Sequence, residues 1–546
     1  MKTQQHYPLK ISTLAPVHIG CDETYDPSNY VIHEQTLFEF DPYIALEALS
    51  PVQRRQLNQL VSGKADETMI KALQGFFYRN KNTLMALSAH FLPVATGVAN
   101  MYESRVGKIA QHESGGKKVI NKLEIERTFY NPVSHRPILS GSSIKGAIRT
   151  ALLNQINQAK PLQKNHKGYQ ERNNELQQRL FQYNMREISK DPMRLVSISD
   201  AQWTETQHRY SSEVRFAVNR QKKIQHKNGR LVQSQAEQKG LFQQLECVSG
   251  MLAHAFSTQI NLQNINTIQP NKQQVAKKLQ WKIEDIFSAC NDFYLPQLQQ
   301  EIKLLKSLNY ADPEWLQQLE QLLQGELVQR LNKQQAMILR LGRHSGATAM
   351  TLDGVRSIKI MQGRGDKPRF EKEAKTLWLA ASDTKSQQLT SFGWVVVELA
   401  NNTPLWQDNK SSQTWHQNIV KMQQQQREKL EEEQQQQEAK AQQEKQQQAQ
   451  QQAEQAAREA KLATLSPLER ELEEIIEQDK TTTPAMTLFN KLNNGAWESK
   501  DEQVIVAEKI KQLWADEKKW IPEFAGKNKQ KVKQKGRCVK LQSYFD

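Results

Sequence analysis

The first forty residues alternate apolar and polar positions in short runs separated by turn residues. Leu9 and Ile11 belong to one run, and residues 30–32 and 37–40 form two more after the turn at 26–29. A period of two is typical of strands with one buried face. The pattern therefore predicts that the chain begins with a sheet.

Apolar residues recur three and four positions apart in several later segments, which predicts helices with one buried face. These segments cover residues 42–49, 52–60 and 67–78, a helix from about Ser143, and a helical region from about Leu252 to Gln335. The polar residues 155–190 are compatible with a helical insertion or a loop. Extended segments are predicted at 125–139, at 195–200 and, as a core strand, at 394–399.

Composition changes sharply after residue 400. Residues 423–455 are about half glutamine and contain no proline or glycine. Because their common residues favour helix but offer no sustained apolar seam, we expect a solvated helix or a disordered linker and no coiled coil. Apolar spacing resumes at 465–524 and predicts a small helical module. Lysines then alternate from Lys527 to Lys540, a run that either contacts RNA or only keeps the terminus soluble.

These patterns together predict an α+β protein in three parts. The first part covers residues 1–400 and has helical insertions around 41–100, 154–190 and 255–335. A glutamine-rich linker or long polar helix covers 401–464, and a small helical module with a basic tail covers 465–546.

The charge of the chain points to a polyanionic partner. Seventy-four Lys and Arg against 59 Asp and Glu give a net charge of +15, which favours nucleic acid first and an anionic membrane second. No window approaches the roughly 18 apolar residues that a membrane span needs, and the start has no apolar signal segment. The four cysteines show no paired spacing. We therefore expect a cytoplasmic, nucleic-acid-binding protein without a metal or cofactor.

The segment from Leu139 to Arg149 is the most informative for chemistry. A Gly/Ser turn at Ser140, Gly141, Ser142 and Ser143 opens directly into an amphipathic helix. Free amide groups at a helix start attract phosphate, and Lys145 and Arg149 share one helix face. Gly146 allows close approach of another backbone. The alternative is an ordinary helix cap with two solvated cations.

Residues 140–149 closely resemble the GSSIKGAIR signature of the CRISPR-associated RAMP superfamily. Residues 14–20, followed by Tyr30 and Val31, resemble its first strand and loop. Further segments occur in the order seen in the family of fifth Csm subunits of type III-A effectors: residues 195–201, Glu246 with Gly250 before Phe256, residues 339–343 with Ser345 and Gly346, and residues 392–395. The resemblance covers roughly residues 7–400.

This resemblance implies a ferredoxin-like (RRM-type) core enlarged by insertions. It also implies a structural subunit that holds guide RNA at one end of a filament of related Csm-type backbone subunits. Its partners would be the guide RNA, the guide–target RNA duplex and those backbone subunits, with no membrane. A basic, shape-reading surface can hold RNA along its phosphates.

Two further segments offer RNA contacts. The first contains Arg340, Gly342, Arg343, Ser345 and Gly346, where glycines would permit close approach and arginines would donate to phosphate. The alternative is that Gly342 and Gly346 only shape a turn. The second is a basic hairpin at 210–240 with its turn near Asn228–Gly229. Its candidate contacts are Arg215, Arg220, Lys222 and Lys223. In related backbone subunits a hairpin at the corresponding place acts as a thumb, and the alternative is a solvated loop.

Catalysis is the open alternative. Metal-free RNA cleavage needs an acid and a base beside a 2′-hydroxyl. Histidines His18, His33, His135 and His344 are candidates, and Asp22 and Asp26 fall near the position of the cleaving aspartate in related subunits. A metal-independent endoribonuclease that processes guide precursors is therefore one alternative, and a general RNA-binding protein outside CRISPR is another. We expect a non-catalytic protein.

Overall fold

A computed structural model describes the chain in two compact units, Met1–Glu431 and Glu432–Asp546. The described residues are 4–26, 28–63, 66–108, 123–164, 168, 170–204, 212–227, 230–232, 241–263, 275, 279–360, 367–407, 411–478 and 483–545. Strands occur only in the first unit among these residues, and helices occur in both.

The strands of the described residues follow in chain order. They are β1 (Gln4–Thr13), β2 (Gly20–Tyr25), β3 (Tyr30–His33), β4 (Thr36–Glu39), β5 (His90–Pro93), β6 (Ile125–Thr128), β7 (Ile138–Leu139), β8 (Val196–Ile198), β9 (Ala201–Trp203), β10 (Ser212–Gln221), β11 (Gln225–Lys227), β12 (Arg230–Val232), β13 (Phe242–Val248), β14 (Leu252–Gln263), β15 (Ala336–Arg340), β16 (Ile358–Ile360), β17 (Arg369–Glu371), β18 (Thr376–Ala381), β19 (Leu389–Thr390) and β20 (Trp394–Leu399).

The α-helices are numbered in the same way. They are α1 (Pro42–Ala48), α2 (Pro51–Val61), α3 (Glu67–Arg79), α4 (Lys81–Leu87), α5 (Thr96–Arg105), α6 (Gly141–Asn157), α7 (Asn173–Phe181), α8 (Ile283–Ser307), α9 (Pro313–Gln324), α10 (Glu326–Asn332), α11 (Gly346–Ala349), α12 (Ser411–Ala463), α13 (Pro467–Gln478), α14 (Pro484–Asn493), α15 (Lys500–Asp516) and α16 (Lys529–Gln542).

The largest sheet of the first unit has a ferredoxin-like centre. Its strand order is β15-β20-β1-β14-β9-β7, and β8 also pairs with β14. These pairings are antiparallel. Helix α6 lies in the chain between β1 and β8, and α8 follows β14. The order β20-β1-β14-β8/β9 with two crossover helices is the ferredoxin-like arrangement, so the predicted α+β fold is confirmed.

Two more sheets extend this centre. One has the order β19-β18-β10-β13-β6-β2, and the other consists of β3, β4 and β5. The predicted hairpin is also present, since β11 pairs with β12 with Lys227 opposite Arg230. Its turn residues, 228 and 229, lie outside the described residues.

The helix predicted from Leu252 is wrong over its first twelve residues, which form β14. Leu252, Phe256 and Ile260 are spaced four apart, which is typical of a helix. The strand lies between β1 on one side and β8 and β9 on the other, so it is buried along much of its length. A register shift opposite Ile11 and Thr13 marks a bulge, which breaks simple alternation.

The glutamine-rich segment belongs to one helix, α12, of 53 residues. Its first part lies in the first unit, not in a linker that begins at 401. The Gln423 side chain donates to the carbonyls of Met85 and Ser88 at 3.0 and 3.1 Å, and Arg427 donates to Ala86 at 2.7 Å. These bonds supply donors to carbonyls at the C-terminal end of α4, where helix carbonyls lack a full set of partners. The Met85 carbonyl also accepts from the amide of Ser88 at 3.3 Å.

The second unit has its own core, as its apolar spacing predicts. Helices α13 to α16 enclose buried side chains that include Leu488, Trp514 and Cys538. The alternating lysines are the last helix of this unit, because Asn528 caps α16 and Leu541 is fully buried. The basic tail is therefore an ordered part of the helical module.

Candidate nucleic-acid interface

The Gly/Ser turn starts helix α6 and packs against strand β8. The Ser140 hydroxyl accepts from the amide of Ser143 at 3.3 Å, and Asp200 accepts from the amide of Gly141 at 2.7 Å. A Cβ on Gly141 would lie 2.5 Å from the carbonyl oxygen of Ile198. Gly141 is therefore required for packing, and a carboxylate already occupies this helix start.

The middle of the same motif faces outward. Gly146 is exposed, and a Cβ there would meet no atom within 4 Å. Lys145 beside it is half-buried and forms no ion pair within the described residues. Burial lowers the pKa of Lys145, and the nearby Arg149 adds to that effect against an opposing contribution from Asp191. An anion at this face would restore the environment that a charged ammonium prefers.

Arg149 turns inward, away from a role as a free phosphate donor. Its guanidinium donates to Asp191 at 3.0 Å, to Gln177 at 3.0 Å and to the Tyr183 hydroxyl at 3.2 Å. It also lies over the ring of Phe181 at 4.9 Å. These contacts hold α7 and the segment before β8 against α6.

The second glycine-containing segment, residues 340–346, is built in the same inward manner. Arg340 is 7% exposed and donates to both carboxylate oxygens of Glu301, at 2.7 and 3.2 Å. Gly342 has a φ of +76°, and a Cβ there would lie 2.2 Å from the carbonyl oxygen of His18. Arg343 pairs with Glu126 while its side chain remains 39% exposed.

The last residues of this segment complete the turn. The buried hydroxyl of Ser345 donates to the Gly342 carbonyl, and Gly346 begins α11 with a φ of +80°. The hydroxyl of Tyr294 donates to the carbonyl of Ala147 in α6 at 3.1 Å and lies 3.4 Å from that of Ala349 in α11. The two predicted glycine segments are thus neighbours, a proximity that the sequence alone did not reveal.

The four cations predicted for the hairpin lie outside its two strands, because Arg215 and Arg220 belong to β10 and Lys222 and Lys223 follow that strand. Arg215 pairs with Glu213 at 2.8 Å, and Arg220 donates to the carbonyl of Thr384 at 2.9 Å. Lys222 is half-buried, and burial lowers its pKa. Lys223 is exposed. Within the described part of the chain, neither lysine forms an ion pair.

The candidate catalytic histidines are packed into the protein. His18 is 1% exposed, and its Nδ1 lies 2.7 Å from the carbonyl oxygen of Glu246. His344 stacks on Trp378 at 4.8 Å and bonds Gln243 at 2.9 Å. Burial, aided by the nearby Arg343, lowers the pKa of His344 to about 3. It is therefore neutral near pH 7.

The remaining catalytic candidates lie apart from this pair. Asp22 and Asp26 are exposed around strand β2. His33 bonds Lys81 at 3.3 Å, and burial lowers its pKa. His135 stacks on His90 at 4.9 Å. The described residues contain no group of His, Cys, Asp and Glu side chains that could hold a metal ion.

Glu246 is a positioning residue whose contacts sequence reasoning did not anticipate. Its carboxylate is buried and accepts from Ser212 at 2.8 Å, Tyr25 at 3.2 Å and the Thr128 amide at 3.3 Å. These bonds tie β13 to β10, β2 and β6. The sequence does contain one sign of this role, which is a single acidic residue beside the apolar residues of β13. A carboxylate buried in a strand requires hydrogen-bond partners.

Comparison with known proteins gives one family. A sequence profile of the RAMP superfamily matches residues 10–343, all within the first unit. No curated protein matches significantly. Solved structures with similarity include a chain of a Csm–crRNA–target RNA ternary complex of a type III-A CRISPR-Cas system, with 15% identity, a TM-score of 0.43, and coverage of 72% of this chain and 100% of that one. Csm5 of T. onnurineus has 16% identity, a TM-score of 0.40, and coverage of 71% and 100%.

Within the part of the chain that the structure describes, no helix has the length and apolarity needed to cross a membrane.

Proposed function

The chain belongs to the RAMP superfamily, and from this premise we propose that it is a non-catalytic RNA-binding subunit of a type III CRISPR ribonucleoprotein. In this role it holds the guide RNA along its phosphates, at the end of the backbone filament, and supports guide maturation and antiviral defence. Its partners are the guide RNA, the target strand paired with it and Csm-type backbone subunits. A net charge of +15 suits such a polyanionic ligand.

The observation that carries this proposal is the exposed face at Lys145 and Gly146. Glycine inside a helix costs about 1 kcal/mol relative to alanine, and no contact within the described chain offsets that cost. Because Gly146 has no side chain, an RNA phosphate could approach the helix backbone closely beside the ammonium group of Lys145, which has no ion pair within the described residues. Ser142, which is exposed one turn earlier, adds a hydroxyl donor.

The same geometry divides the candidate residues into two roles. Lys145, Lys222 and Lys223 are the proposed RNA contacts, since none forms an ion pair in the described residues. Arg149 and Arg340 are proposed to position the glycine segments, because internal acceptors engage their guanidinium groups. Arg343 remains a partial contact, with its guanidinium shared with Glu126.

The histidine environments favour this role over the alternative of a guide-processing endoribonuclease. A general base must reach the 2′-hydroxyl that it deprotonates. His18 is 1% exposed, and His344 is stacked and hydrogen-bonded. Incubation with a repeat–spacer transcript in EDTA tests the point. Discrete cleavage that disappears in both His18→Ala and His344→Ala proteins would establish the nuclease instead.

The RNA-binding proposal is tested by Lys145→Ala, with Lys160→Ala as the matched control on an exposed lysine just after α6. Loss of one phosphate contact should reduce guide-RNA affinity about fivefold to tenfold. It should also flatten the slope of log affinity against log salt by about 0.7–0.9. The control should change neither quantity. Equal behaviour of the two variants would mean that Lys145 is merely solvated.

A further inference from the structure

The last helix of the second unit concentrates positive charge that the rest of the unit lacks. Residues 527–540 contain seven Lys and Arg and no Asp or Glu, whereas residues 465–526 contain thirteen acidic and eight basic residues. The unit lies outside the region matched by the family profile, which ends at 343. The basic segment is therefore a property of this chain's own C-terminal unit.

Helix α16 separates its core side from its cationic side. Cys538 and Leu541 are fully buried in the core of the unit. The ammonium group of Lys535 donates to the carbonyl of Phe524 at 2.8 Å and so is engaged inside the unit. Five of the exposed positions follow helical spacing of three and four, which places them along one face. They are Lys529, Val532, Lys533, Gly536 and Lys540, and the other exposed residues of the helix are Gln530, Lys531, Val539 and Gln542.

This face has no ligand within the described protein. No carboxylate lies within 4.0 Å of the ammonium groups of Lys529, Lys533 or Lys540 in the described residues. A Cβ on Gly536 would meet no atom within 4 Å, although the position lies inside a helix, where glycine is unfavourable. Val532 is 48% exposed on the same face. The result is a shallow cationic strip with a bare backbone at its middle.

We propose that this face of α16 binds the phosphate backbone of single-stranded RNA. Unpaired lysines along one side match a line of phosphates, and the glycine allows the RNA backbone to approach the helix. Val532 and Val539 are too small an apolar area for an interfacial membrane helix, which needs a large apolar face. The choice of RNA among polyanions rests on the proposed function, whereas the site itself lies in the other unit.

The test compares two full-length triple variants that remove the same charge. One is Lys529→Gln/Lys533→Gln/Lys540→Gln on the proposed face. The other is Lys491→Gln/Lys500→Gln/Lys518→Gln, which changes exposed lysines elsewhere in the same unit. Binding of a 30-nucleotide oligouridine is measured by fluorescence anisotropy over a salt series. The first variant should lose about tenfold or more in affinity and flatten the salt slope by about 2, at 0.7 for each lost contact. The control should stay within twofold.

A third variant separates binding from folding. Gly536→Gln adds bulk to the face without changing its charge and replaces glycine with a better helix former. The melting temperature of the second unit should hold or rise while RNA affinity falls severalfold. A loss of affinity without a loss of stability would rule out unfolding as the cause.

Three outcomes would overturn this proposal. Equal losses of RNA affinity in the two triple variants would show that only net charge matters. No loss of affinity in either variant would show that the face is solvated and binds no RNA. If the triple variant of the α16 face bound RNA normally but lost self-association in sedimentation velocity, the partner of this face would be an acidic protein surface. Lys145→Ala tests RNA binding by the first unit, and the triple variants test RNA binding by α16. The two results therefore distinguish a failure of the proposed function from a failure of this site.

Discussion

Two sets of cations, one from each unit of the chain, serve opposite purposes. In the first unit, Arg340 bonds both oxygens of Glu301, and Arg330, 5% exposed, donates to the fully buried Glu398 at 2.7 Å. In the second unit, Lys529 and Lys533 are exposed and have no carboxylate partner among the described residues. The planar guanidinium fork suits a buried carboxylate, and the hydrated ammonium suits an open surface.

The difference shows that residue type alone does not identify a ligand-binding cation. Arg149 and Lys145 stand four residues apart in the same motif, yet only Arg149 is held by internal acceptors. What separates them is the covering of α6 by α7, which lies over one side of the helix. The following predictions test whether the contrast between structural arginines and free lysines holds.

The largest effect should come from removing a structural arginine. Arg340→Ala leaves Glu301, whose side chain is only 14% exposed, without its ion-pair partner, and such a loss in a buried pair typically costs about 3–5 kcal/mol. The free energy of unfolding of the first unit should fall by that amount in urea denaturation followed by circular dichroism. Lys533→Ala, the matched change in the second unit, should cost less than about 0.5 kcal/mol. Similar losses in the free energy of unfolding from the two changes would contradict the contrast between structural arginines and free lysines.

The two glycine segments should respond in opposite directions to alanine. Gly342→Ala forces a Cβ toward the His18 carbonyl at a positive φ, so we expect a loss of about 2–3 kcal/mol. Gly146→Ala meets open space and should raise helix stability by about 0.5–1 kcal/mol. Thermal unfolding of both proteins measures the difference. Destabilisation by Gly146→Ala would mean that the motif's middle glycine serves packing after all.

Acid should affect the first unit through a half-buried histidine. The pKa of His344 is about 3 when folded and near 6.5 when unfolded, so its contribution to stability is full above pH 6.5 and is lost as pH falls toward 3. Between about pH 6 and pH 4 the loss should be about 1.4 kcal/mol per pH unit, and His344→Gln should remove this component. Residues 432–546 contain no histidine, so the second unit should show no such component. Parallel pH profiles for wild type and variant would contradict the prediction.

The smallest effect should come from shortening the long helix. Deletion of 434–455 removes exposed residues with little excess charge and no aromatic side chain. Guide affinity should change by less than about threefold, or ~0.7 kcal/mol. A deletion that includes Gln423 and Arg427 is the contrasting case, because these side chains bond carbonyls of the first unit. A tenfold loss from the shorter deletion would show that the helix couples the units during RNA binding.

The periodicity of apolar residues was sufficient to predict most of the helices and strands. Short-range spacing predicted the helices that begin near residues 42, 52 and 67, and the alternation at the start predicted strands, because one face of each element is buried. It failed at β14, where burial between neighbouring strands and a bulge leave a spacing of four. Long-range pairing, not local preference, determines that segment.

The candidate site was predictable only in part. The motif at 140–149 predicted the helix start and placed the half-buried Lys145 beside the exposed Gly146. Sequence spacing could not show that Arg340 faces Glu301, since that ion pair joins residues 39 positions apart. It also could not show that Tyr294 brings the two glycine segments together. Such contacts depend on how the sheet and its helices assemble.

The central position of β1 has a consequence for biosynthesis. Leu9 pairs with Thr258 on one side and with Leu399 on the other. Both edges of β1 therefore stay unpaired until the ribosome has synthesised these much later residues. At roughly 5–20 residues per second, translation from residue 9 to residue 399 takes about 20–80 s. Through that interval the emerging strand presents unpaired amide and carbonyl groups, which other chains can bind. Ribosome-bound nascent chains that stop before residue 394 should therefore depend on chaperones, and released full-length chains should not.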